Sequence, residues 1–317
     1  MKKPVYIMSG FLGSGKTTVL LNLMEACKKR NQKPAIILNE LGSVNVESHL
    51  FEDQRVIEIL DGCICCTIQS NFKETLDQLM KERETFDVLF IEGTGVANPI
   101  ELMEVLLQST YSKVFDIFSI ISVIDAGNFL SHLSIFSSSS ELIQLLKDQV
   151  QCATYIVMNK LDQVSKNKLH KIEEKLHQLV SEEVPIHFTT FGKIPINEVF
   201  MKRFTINHLS HDRKGDVHEH DHHHAFIEAV RIENVSAASK KTLVKWLNSL
   251  PDELYRAKGI VRLEGKEDFY QVQYSPKNVR MDPIRTRNQN MIPSMIFIGE
   301  HFAIQKIKEQ FEHEFSS

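Results

Sequence analysis

Residues 10–17 read Gly-Phe-Leu-Gly-Ser-Gly-Lys-Thr and fit the pattern G-x-x-x-x-G-K-[S/T] at every fixed position. They follow an apolar run at residues 5–8 and open an amphipathic pattern at residues 16–29, so they predict a glycine turn between a strand and a helix. Such a turn points backbone N–H groups at phosphate oxygens. We therefore predict a nucleotide-phosphate site, with Lys16 on the β- and γ-phosphates and Thr17 ligating Mg²⁺. An ordinary connecting turn is the alternative.

Short apolar runs alternate with helical patterns as far as residue 205. Residues 88–91 are continuously apolar, as expected for a strand buried on both faces of a parallel sheet. The alternation predicts a doubly wound α/β domain at residues 1–205. Its further strands are predicted at residues 35–38, 56–59, 88–91, 117–124 and 155–158, and its further helices at residues 68–83 and 166–180.

The composition changes sharply at residues 206–225. Seven of the 14 histidines lie between His208 and His224, where apolar residues are scarce, so we predict an exposed linker. Residues 226–317 are then predicted to form a second, smaller α+β sandwich domain. Its strands are predicted at residues 226–232, 259–263, 269–274 and 294–298, and its helices at residues 239–250 and 301–311.

The bulk composition argues against several classes of protein. The formal net charge of −4 gives no basic footprint for nucleic acid, and no apolar run reaches the roughly 18–20 residues that span a bilayer. The N-terminus has a basic start but lacks the apolar region and the cleavage signature of a secretory signal. The five cysteines fit reduced thiols better than a disulfide framework. We therefore expect a cytoplasmic protein that binds neither nucleic acid nor membranes.

Residues 159–162 read Asn-Lys-Leu-Asp and follow the predicted strand at residues 155–158, where a doubly wound sheet has its ligand-binding edge. The Asp162 carboxylate can accept hydrogen bonds from N1–H and the exocyclic amine of guanine, whereas adenine offers neither group there. Asn159 and the Lys160 stem would hold and cover the base. A polar loop after a strand is the alternative, but the position beyond a phosphate turn favours guanine over adenine.

Residues 87–95 form an apolar strand pattern that ends in an acid and two glycines. Glu92 is placed to hold the water shell of Mg²⁺ or to orient the attacking water. Gly95 can bring its N–H close to the γ-phosphate. The alternative is that Glu92 caps the next helix.

Three cysteines, Cys63, Cys65 and Cys66, crowd into one glycine-flanked segment. They are too close together for unstrained mutual disulfides, but their thiolates suit one soft metal ion, Zn²⁺ or Cu⁺. Small buried apolar cysteines are the alternative.

Histidines in the linker form a second predicted set of metal ligands, which would collect zinc and pass it to the thiols. Incidental imidazoles in a solvated linker are the alternative. The set consists of His218, His220, His222, His223 and His224.

Together these motifs resemble those of the CobW-type metallochaperones, a branch of the P-loop GTPases that includes zinc chaperones and cobalamin-synthesis proteins. The similarity rests on GFLGSGKTT, the dipeptide Asn39-Glu40, GCICC, the strand end IEGTG, NKLD, and LYRAKGIVRL beyond the linker. It covers nearly the whole chain. The resemblance implies a P-loop GTPase domain, Mg²⁺-dependent GTP hydrolysis and a metal site that responds to the nucleotide.

Carried over by motif, the resemblance assigns roles to individual residues. Cys63, Cys65 and Cys66 would bind metal, and Glu40 would add a carboxylate ligand or help to position water. Asn159 and Asp162 would bind guanine. The phosphate-binding residues would be Gly10, Gly13, Ser14, Gly15, Lys16, Thr17 and Thr18.

The segment after Asn39 departs from the usual family pattern N-E-F-G-E-x-G-x-D. Ser43 stands where an acid is usual and Asn45 where a glycine is usual, while Glu47 keeps the final carboxylate on a longer stem. The departure weakens the assignment of a metal or switch role to this segment.

We therefore expect a GTP-hydrolysing metallochaperone that binds zinc through its three cysteines and transfers it to a client metalloprotein under nucleotide control. Lys16, Glu92 and Glu40 are the expected catalytic residues, and GTP, Mg²⁺ and Zn²⁺ or Co²⁺ are the expected cofactors. The alternatives are a cobalt chaperone in cobalamin synthesis, a P-loop small-molecule kinase and a non-catalytic metal store. The expected partner is the client metalloprotein, with a homodimer as one candidate assembly.

Overall fold

The structure of this protein, a computed structural model, describes residues 1–39, 55–59, 67–136, 138–209, 227–251, 253–276, 278–284 and 291–315. The chain divides into two compact units, Met1–Arg203 and Phe204–Ser317. No helix in the described parts of the chain combines the length and the apolar character needed to cross a bilayer.

The first unit is a parallel sheet with helices, so the predicted α/β class is confirmed. The described strands are β1 (Lys3–Ser9), β2 (Pro34–Asn39), β3 (Arg55–Ile59), β4 (Val88–Glu92), β5 (Phe115–Asp125), β6 (Tyr155–Asn159) and β7 (Ile186–Phe188). The described helices are α1 (Lys16–Lys29), α2 (Thr67–Lys81), α3 (Pro99–Leu106), α4 (Phe129–His132), α5 (Ser140–Gln151), α6 (Lys166–His177) and α7 (Ile196–Val199). The strand order is β3-β2-β4-β1-β5-β6-β7, and all paired strands are parallel.

This order places β1 at the centre, between β4 and β5. The chain leaves β1 for β2 and β3, returns to β4 and then crosses to β5, so the direction of winding reverses beside β1. Open α/β sheets bind their ligands at the carboxyl ends of strands at such a reversal. Here β4, β5 and β6 end in Glu92, Asp125 and Asn159, and β1 ends just before the glycine turn.

The centre of the sheet is packed on both faces by apolar side chains. Val5, Ile7 and Met8 of β1 are completely buried, and burial of such a side chain contributes about 1.5–3 kcal/mol to folding. Cys27 and Cys152 are also completely buried, so both are core residues. Helix α1 buries one apolar stripe, formed by Val19, Leu20, Leu23, Met24 and Cys27.

The second unit is a mixed sheet with two described helices. Its described strands are β8 (Phe204–Leu209), β9 (Ile227–Glu233), β10 (Leu254–Arg262), β11 (Phe269–Ser275), β12 (Asn278–Pro283) and β13 (Ser294–Glu300), and its described helices are α8 (Lys240–Asn248) and α9 (His301–Phe315). The strand order is β12-β11-β10-β13-β9-β8, with β8 and β9 parallel and the other pairs antiparallel. Trp246 of α8 and Phe311 of α9 contact each other, and Trp246 also contacts Phe297 of β13, so Trp246 has a packing role.

Strand β8 lies where the sequence analysis placed the end of the first domain and the start of the linker. Its residues pair in parallel with β9, from Phe204 opposite Ile227 to Leu209 opposite Ile232, so residues 206–209 belong to a sheet. The stretch Phe-Thr-Ile-Asn alternates apolar and polar residues, as a strand does, but His208 breaks the alternation and the polar residues after residue 209 obscured the pattern. Residues 210–226 lie outside the described residues.

Candidate nucleotide site

The glycine turn between β1 and α1 packs closely on the neighbouring strands. An ideal Cβ atom on Gly10 would lie 2.1 Å from the Val123 carbonyl oxygen, and one on Gly15 would lie 2.4 Å from Asn159 Nδ2. Gly15 also has a φ of +100°, a left-handed conformation that residues with a Cβ atom disfavour. Glycine at these two positions therefore lets the turn lie directly against β5 and the end of β6.

The Lys16 ammonium group lies inside this turn. Its Nζ donates to the carbonyl oxygens of Gly10 and Phe11 at 3.0 and 3.4 Å, and the residue is 7% exposed. Ser14 is also buried, and its Oγ has no hydrogen-bond partner among the described residues. A buried polar group without a partner costs about 1–3 kcal/mol, and a phosphate oxygen would satisfy it. The buried cation and the unsatisfied hydroxyl therefore fit a nucleotide phosphate.

Thr17 and Glu92, both predicted at the Mg²⁺ site, are in contact. Thr17 Oγ1 donates to Glu92 Oε1 at 3.0 Å. A hydroxyl and a carboxylate are hard oxygen ligands of the kind that Mg²⁺ prefers, so this pair fits the ion. The alternative that Glu92 caps the next helix is wrong, because Asn98 Oδ1 caps α3 by accepting from Ile100 N at 3.0 Å.

The segment after β4 packs on the glycine turn at Gly95. An ideal Cβ atom on Gly95 would lie 2.4 Å from Leu12 N, which leaves no room for a side chain. Gln149 of α5 fixes the same segment, since its Nε2 donates to the carbonyl oxygens of Gly95 and Ala97, each at 3.1 Å. Gln149 is 2% exposed and was not predicted from the sequence, because only the fold brings α5 to this edge.

Asn159, predicted to hold the base, is 3% exposed and binds the protein through both ends of its amide. Its Nδ2 donates to the Ser14 carbonyl oxygen at 3.0 Å, and its Oδ1 accepts from Gly192 N at 3.0 Å. It therefore ties the phosphate turn to the loop after β7. Gly192 was not predicted from the sequence, and the sequence signal for it is the stretch Thr-Thr-Phe-Gly directly after β7.

Lys160 and Asp162 flank the same strand end. Lys160 has a φ of +61°, and its Nζ donates to Asp125 Oδ2 at 2.8 Å. Asp162 lies in the short 3-10 turn Leu161–Gln163 and is exposed, so its carboxylate is accessible to a ligand.

Asp125 is a further site residue that the sequence analysis missed. Its Oδ1 accepts from Gly127 N at 2.8 Å, and its Oδ2 accepts from Asn128 Nδ2 at 3.0 Å as well as from Lys160. Partial burial works to raise the pKa of Asp125, but the hydrogen bonds from Lys160 and Asn128 outweigh it and lower that pKa. The signal was an acid directly after the apolar run at residues 117–124, at the predicted ligand-binding edge.

The amino-acid sequence matches protein-family models in both units. Residues 4–187 match the model described as CobW/HypB/UreG, nucleotide-binding domain. The chain belongs to the CobW/HypB/UreG family. Residues 227–314 match the model described as cobalamin synthesis protein cobW C-terminal domain, so the predicted resemblance of the chain to the CobW family is confirmed.

Curated relatives of this CobW-family chain carry names that refer to zinc. The chain is 27% identical over 221 residues to the zinc chaperone CobW of Pseudomonas aeruginosa, covering 62% of this chain and 58% of the relative. It is 28% identical over 231 residues to zinc-regulated GTPase metalloprotein activator 1 of Dictyostelium discoideum, covering 62% and 48%. The chain thus spans about half the length of these two relatives. Among solved structures, it matches Zn(II)-bound YjiA GTPase from E. coli at 18% identity and a TM-score of 0.46, covering 99% of each chain.

The zinc ligands predicted for this CobW-family protein lie outside the described residues. They are Glu40, Cys63, Cys65, Cys66, His218, His220, His222, His223 and His224. Within the described ranges, no group of three or more His, Cys, Asp or Glu side chains is arranged to hold a metal ion. Burial raises the pKa of Cys27 to about 11 and also raises that of Cys152, so these two core cysteines stay protonated at neutral pH and are unsuited to zinc.

Proposed function

We propose that this protein is a GTP-hydrolysing metallochaperone that binds zinc and transfers it to a client metalloprotein under nucleotide control. Membership of the CobW/HypB/UreG family supports this function, as do relatives named zinc chaperone and zinc-regulated GTPase metalloprotein activator. The observation that carries the GTPase part is the Thr17–Glu92 contact of 3.0 Å beside a complete phosphate-binding turn.

Lys16 and Glu92 have separate roles in the proposed hydrolysis. Lys16 Nζ would exchange the carbonyl oxygens of Gly10 and Phe11 for β- and γ-phosphate oxygens, where its charge offsets the charge that develops during transfer. Glu92 would orient the attacking water. Thr17 and Glu92 would hold Mg²⁺, which neutralises phosphate charge when bound.

The backbone of the turn would bind the remaining phosphate oxygens. Its N–H groups lie at the N-terminus of α1, where the helix dipole favours anions, and Thr18 follows in the first turn of that helix. Gly95 would bring its N–H to the γ-phosphate, because its segment packs directly on the turn.

Asp162 would select guanine over adenine. Its exposed carboxylate can accept from N1–H and the C2 amine of guanine, while adenine would leave it without donors. Lys160 would cover the base with its stem while its Nζ stays on Asp125. Asn159 would support the site indirectly, by holding the phosphate turn and the loop after β7 together.

The cargo metal would be bound by Cys63, Cys65 and Cys66, with Glu40 as an additional carboxylate. The strands before these residues end close to Glu92: Leu38 of β2 pairs with Glu92, and Asn39 of β2 pairs with Ile59 of β3. The segments that carry Glu40 and the three cysteines therefore follow strands that end at the same edge of the sheet as Glu92. A conformational change at the γ-phosphate can act on both segments through this edge. We propose that hydrolysis weakens the thiol site and releases zinc to the client.

Several properties complete this proposal. The linker residues His218, His220, His222, His223 and His224 would collect zinc for the thiols. Reduced thiols favour a cytoplasmic location. We also propose that the protein forms a homodimer, which light scattering would test by measuring the molar mass in solution. Cobalt is the second candidate cargo, since three thiolates also suit Co²⁺.

Metal analysis in three nucleotide states tests the proposed function. The full chain is equilibrated with Zn²⁺ or Co²⁺ in the presence of a slowly hydrolysed GTP analogue, GDP or no nucleotide. We expect the protein to bind zinc in preference to cobalt. Its zinc affinity should differ between the complex with the analogue and the complex with GDP, and zinc should change the nucleotide affinity by the same factor. Equal zinc affinity in all three states would refute nucleotide control, and GTP turnover that persists in Lys16→Ala would refute the hydrolytic site.

A further inference from the structure

The loop after β7 is fixed by a side chain from helix α1. Asn22 Nδ2 donates to the Gly192 carbonyl oxygen at 2.7 Å, across 170 residues of chain. On its other side, Gly192 N donates to Asn159 Oδ1 at 3.0 Å. Both backbone polar groups of Gly192 are therefore bound by asparagine amides.

These contacts continue into the phosphate turn, because Asn159 Nδ2 donates to the Ser14 carbonyl oxygen at 3.0 Å. The order of contacts is thus Asn22, Gly192, Asn159 and Ser14. Gly192 also lies against α1 itself: an ideal Cβ atom on it would approach Val19 Cγ2 to 3.0 Å and Val19 N to 3.1 Å. A side chain at this position would crowd α1, and the φ of +63° also favours glycine, so glycine lets the loop lie close to the helix, where Asn22 binds it.

Asn22 has no evident role in forming the helix. Asparagine is a weaker helix former than leucine or glutamine, and the buried stripe of α1 does not include it. The side chain lies instead in an open groove of about 350 Å³, together with Lys193 and Asn197. The presence of asparagine at position 22 is therefore best explained by its hydrogen bond to the Gly192 carbonyl oxygen.

We infer that Asn22 is a positioning residue for guanine recognition, a role that rests on the proposed guanine site. The bond to the Gly192 carbonyl keeps the Gly192 N–H directed at Asn159. Asn159 in turn anchors the end of β6, next to Lys160 and Asp162, which would contact the base. Loss of the Asn22 donor would loosen this arrangement without removing any group that contacts the phosphates.

The test compares Asn22→Leu, which removes the donor, with Asn22→Gln, which keeps an amide and has room in the groove. Calorimetry would measure the affinity of each full-length variant for GDP and for inorganic tripolyphosphate, which lacks a base. We expect Asn22→Leu to weaken GDP binding and to raise the KM for GTP about fivefold, which is the effect of losing about one hydrogen bond. The affinity for tripolyphosphate and the kcat should stay within about twofold of the parent values. Asn22→Gln should recover most of the GDP affinity.

Asn197→Ala is the matched control, because Asn197 lies in the same groove but contacts Arg30 rather than Gly192. The nucleotide affinity of this variant should equal that of the parent. Equal weakening of GDP and tripolyphosphate in Asn22→Leu would show that Asn22 acts on the phosphate turn through Asn159 and Ser14 and not on base recognition, which would overturn the inference, as would unchanged GDP affinity. A parent protein with no preference for GDP over ADP would refute guanine recognition itself, a result distinct from both.

Discussion

Thr17 Oγ1 and Glu92 Oε1 lie 3.0 Å apart and join the first turn of α1 to the end of β4 across 75 residues of chain. The contact exists because β1 and β4 are parallel neighbours, with Met8 opposite Glu92, so the helix that follows β1 starts beside the end of β4. Two residues that are distant in sequence thereby come into contact beside the glycine turn, as the proposed Mg²⁺ site requires.

Glu92→Gln should abolish most GTP turnover while leaving GTP binding intact. The amide oxygen can still accept from Thr17, but the carboxylate charge that we propose orients water and supports Mg²⁺ is lost. We expect kcat to fall by about 100-fold, with GTP affinity within about threefold of the parent. Phosphate release measures turnover, and Glu84→Gln, an exposed acid in a short 3-10 turn, is the control. A Glu92→Gln variant with parental kcat would remove Glu92 from the mechanism.

Gly95→Ala should weaken nucleotide binding through a steric effect. The added Cβ would lie 2.4 Å from Leu12 N and push the phosphate turn away from the segment after β4. Gly93→Ala is the matched control from the same segment, because its Cβ would meet its nearest neighbour, Ala97 Cβ, at 3.4 Å. We expect GDP affinity to fall more than tenfold for Gly95→Ala and less than twofold for Gly93→Ala. Equal affinities for the two variants would show that the contact with Leu12 does not matter.

Asp125→Asn should destabilise the protein most at neutral pH. Asp125 is 9% exposed and its pKa is lowered, so it stabilises the fold above the ordinary aspartate pKa, about 3.9, and this stabilisation is lost as pH falls through the lower folded value. Replacing it leaves Lys160 with a neutral partner, which should lower the free energy of unfolding by about 1.5–3 kcal/mol at pH 7.

Urea unfolding of the parent and Asp125→Asn between pH 3 and 7 would measure this dependence. The difference between the two proteins should be constant from neutral pH to about pH 5 and shrink below about pH 4. The exposed Asp268→Asn serves as the control. A difference that grows as the pH falls would contradict the lowered pKa.

Local patterns were sufficient to predict the parts of the fold that are fixed by neighbours in sequence. Helix α1 was predicted with its observed bounds, because the glycine turn fixes its start and a polar stretch follows its end. The continuous apolar run of β4 was predicted because burial on both faces leaves no alternation. Strand β12 was not predicted, since its exposed and half-buried side chains form no apolar stripe.

The candidate site, like the fold, was predicted from the sequence only where local motifs define its residues. Lys16, Thr17 and Glu92 were predicted because each lies within a motif whose spacing has a chemical meaning. Asn159 was predicted to bind the base, but its amide is occupied by Ser14 and Gly192, which are far from it in sequence. Such contacts depend on how loops from separate strands meet at one sheet edge, and no local pattern encodes them.

Asp162→Asn should change the base preference of the protein instead of abolishing nucleotide binding. Xanthine carries a carbonyl at C2 where guanine carries an amine, so an asparagine side chain could accept from N1–H and donate to that carbonyl. With guanine the same amide would direct its NH₂ group at the C2 amine, leaving two donors opposed. A mismatch of this kind costs about 1–3 kcal/mol, or roughly 5- to 150-fold in affinity.

Competition between GDP and xanthosine diphosphate measures this switch. The parent should prefer GDP, and Asp162→Asn should prefer xanthosine diphosphate by at least about tenfold, with the affinity for inorganic tripolyphosphate unchanged because the phosphate turn is not altered. Asp162 is exposed and outside the core, so the variant should unfold at the parental temperature. If the preference for GDP survives the substitution, another group reads the C2 position of the base, and Asp162 lies beside the ligand without selecting it.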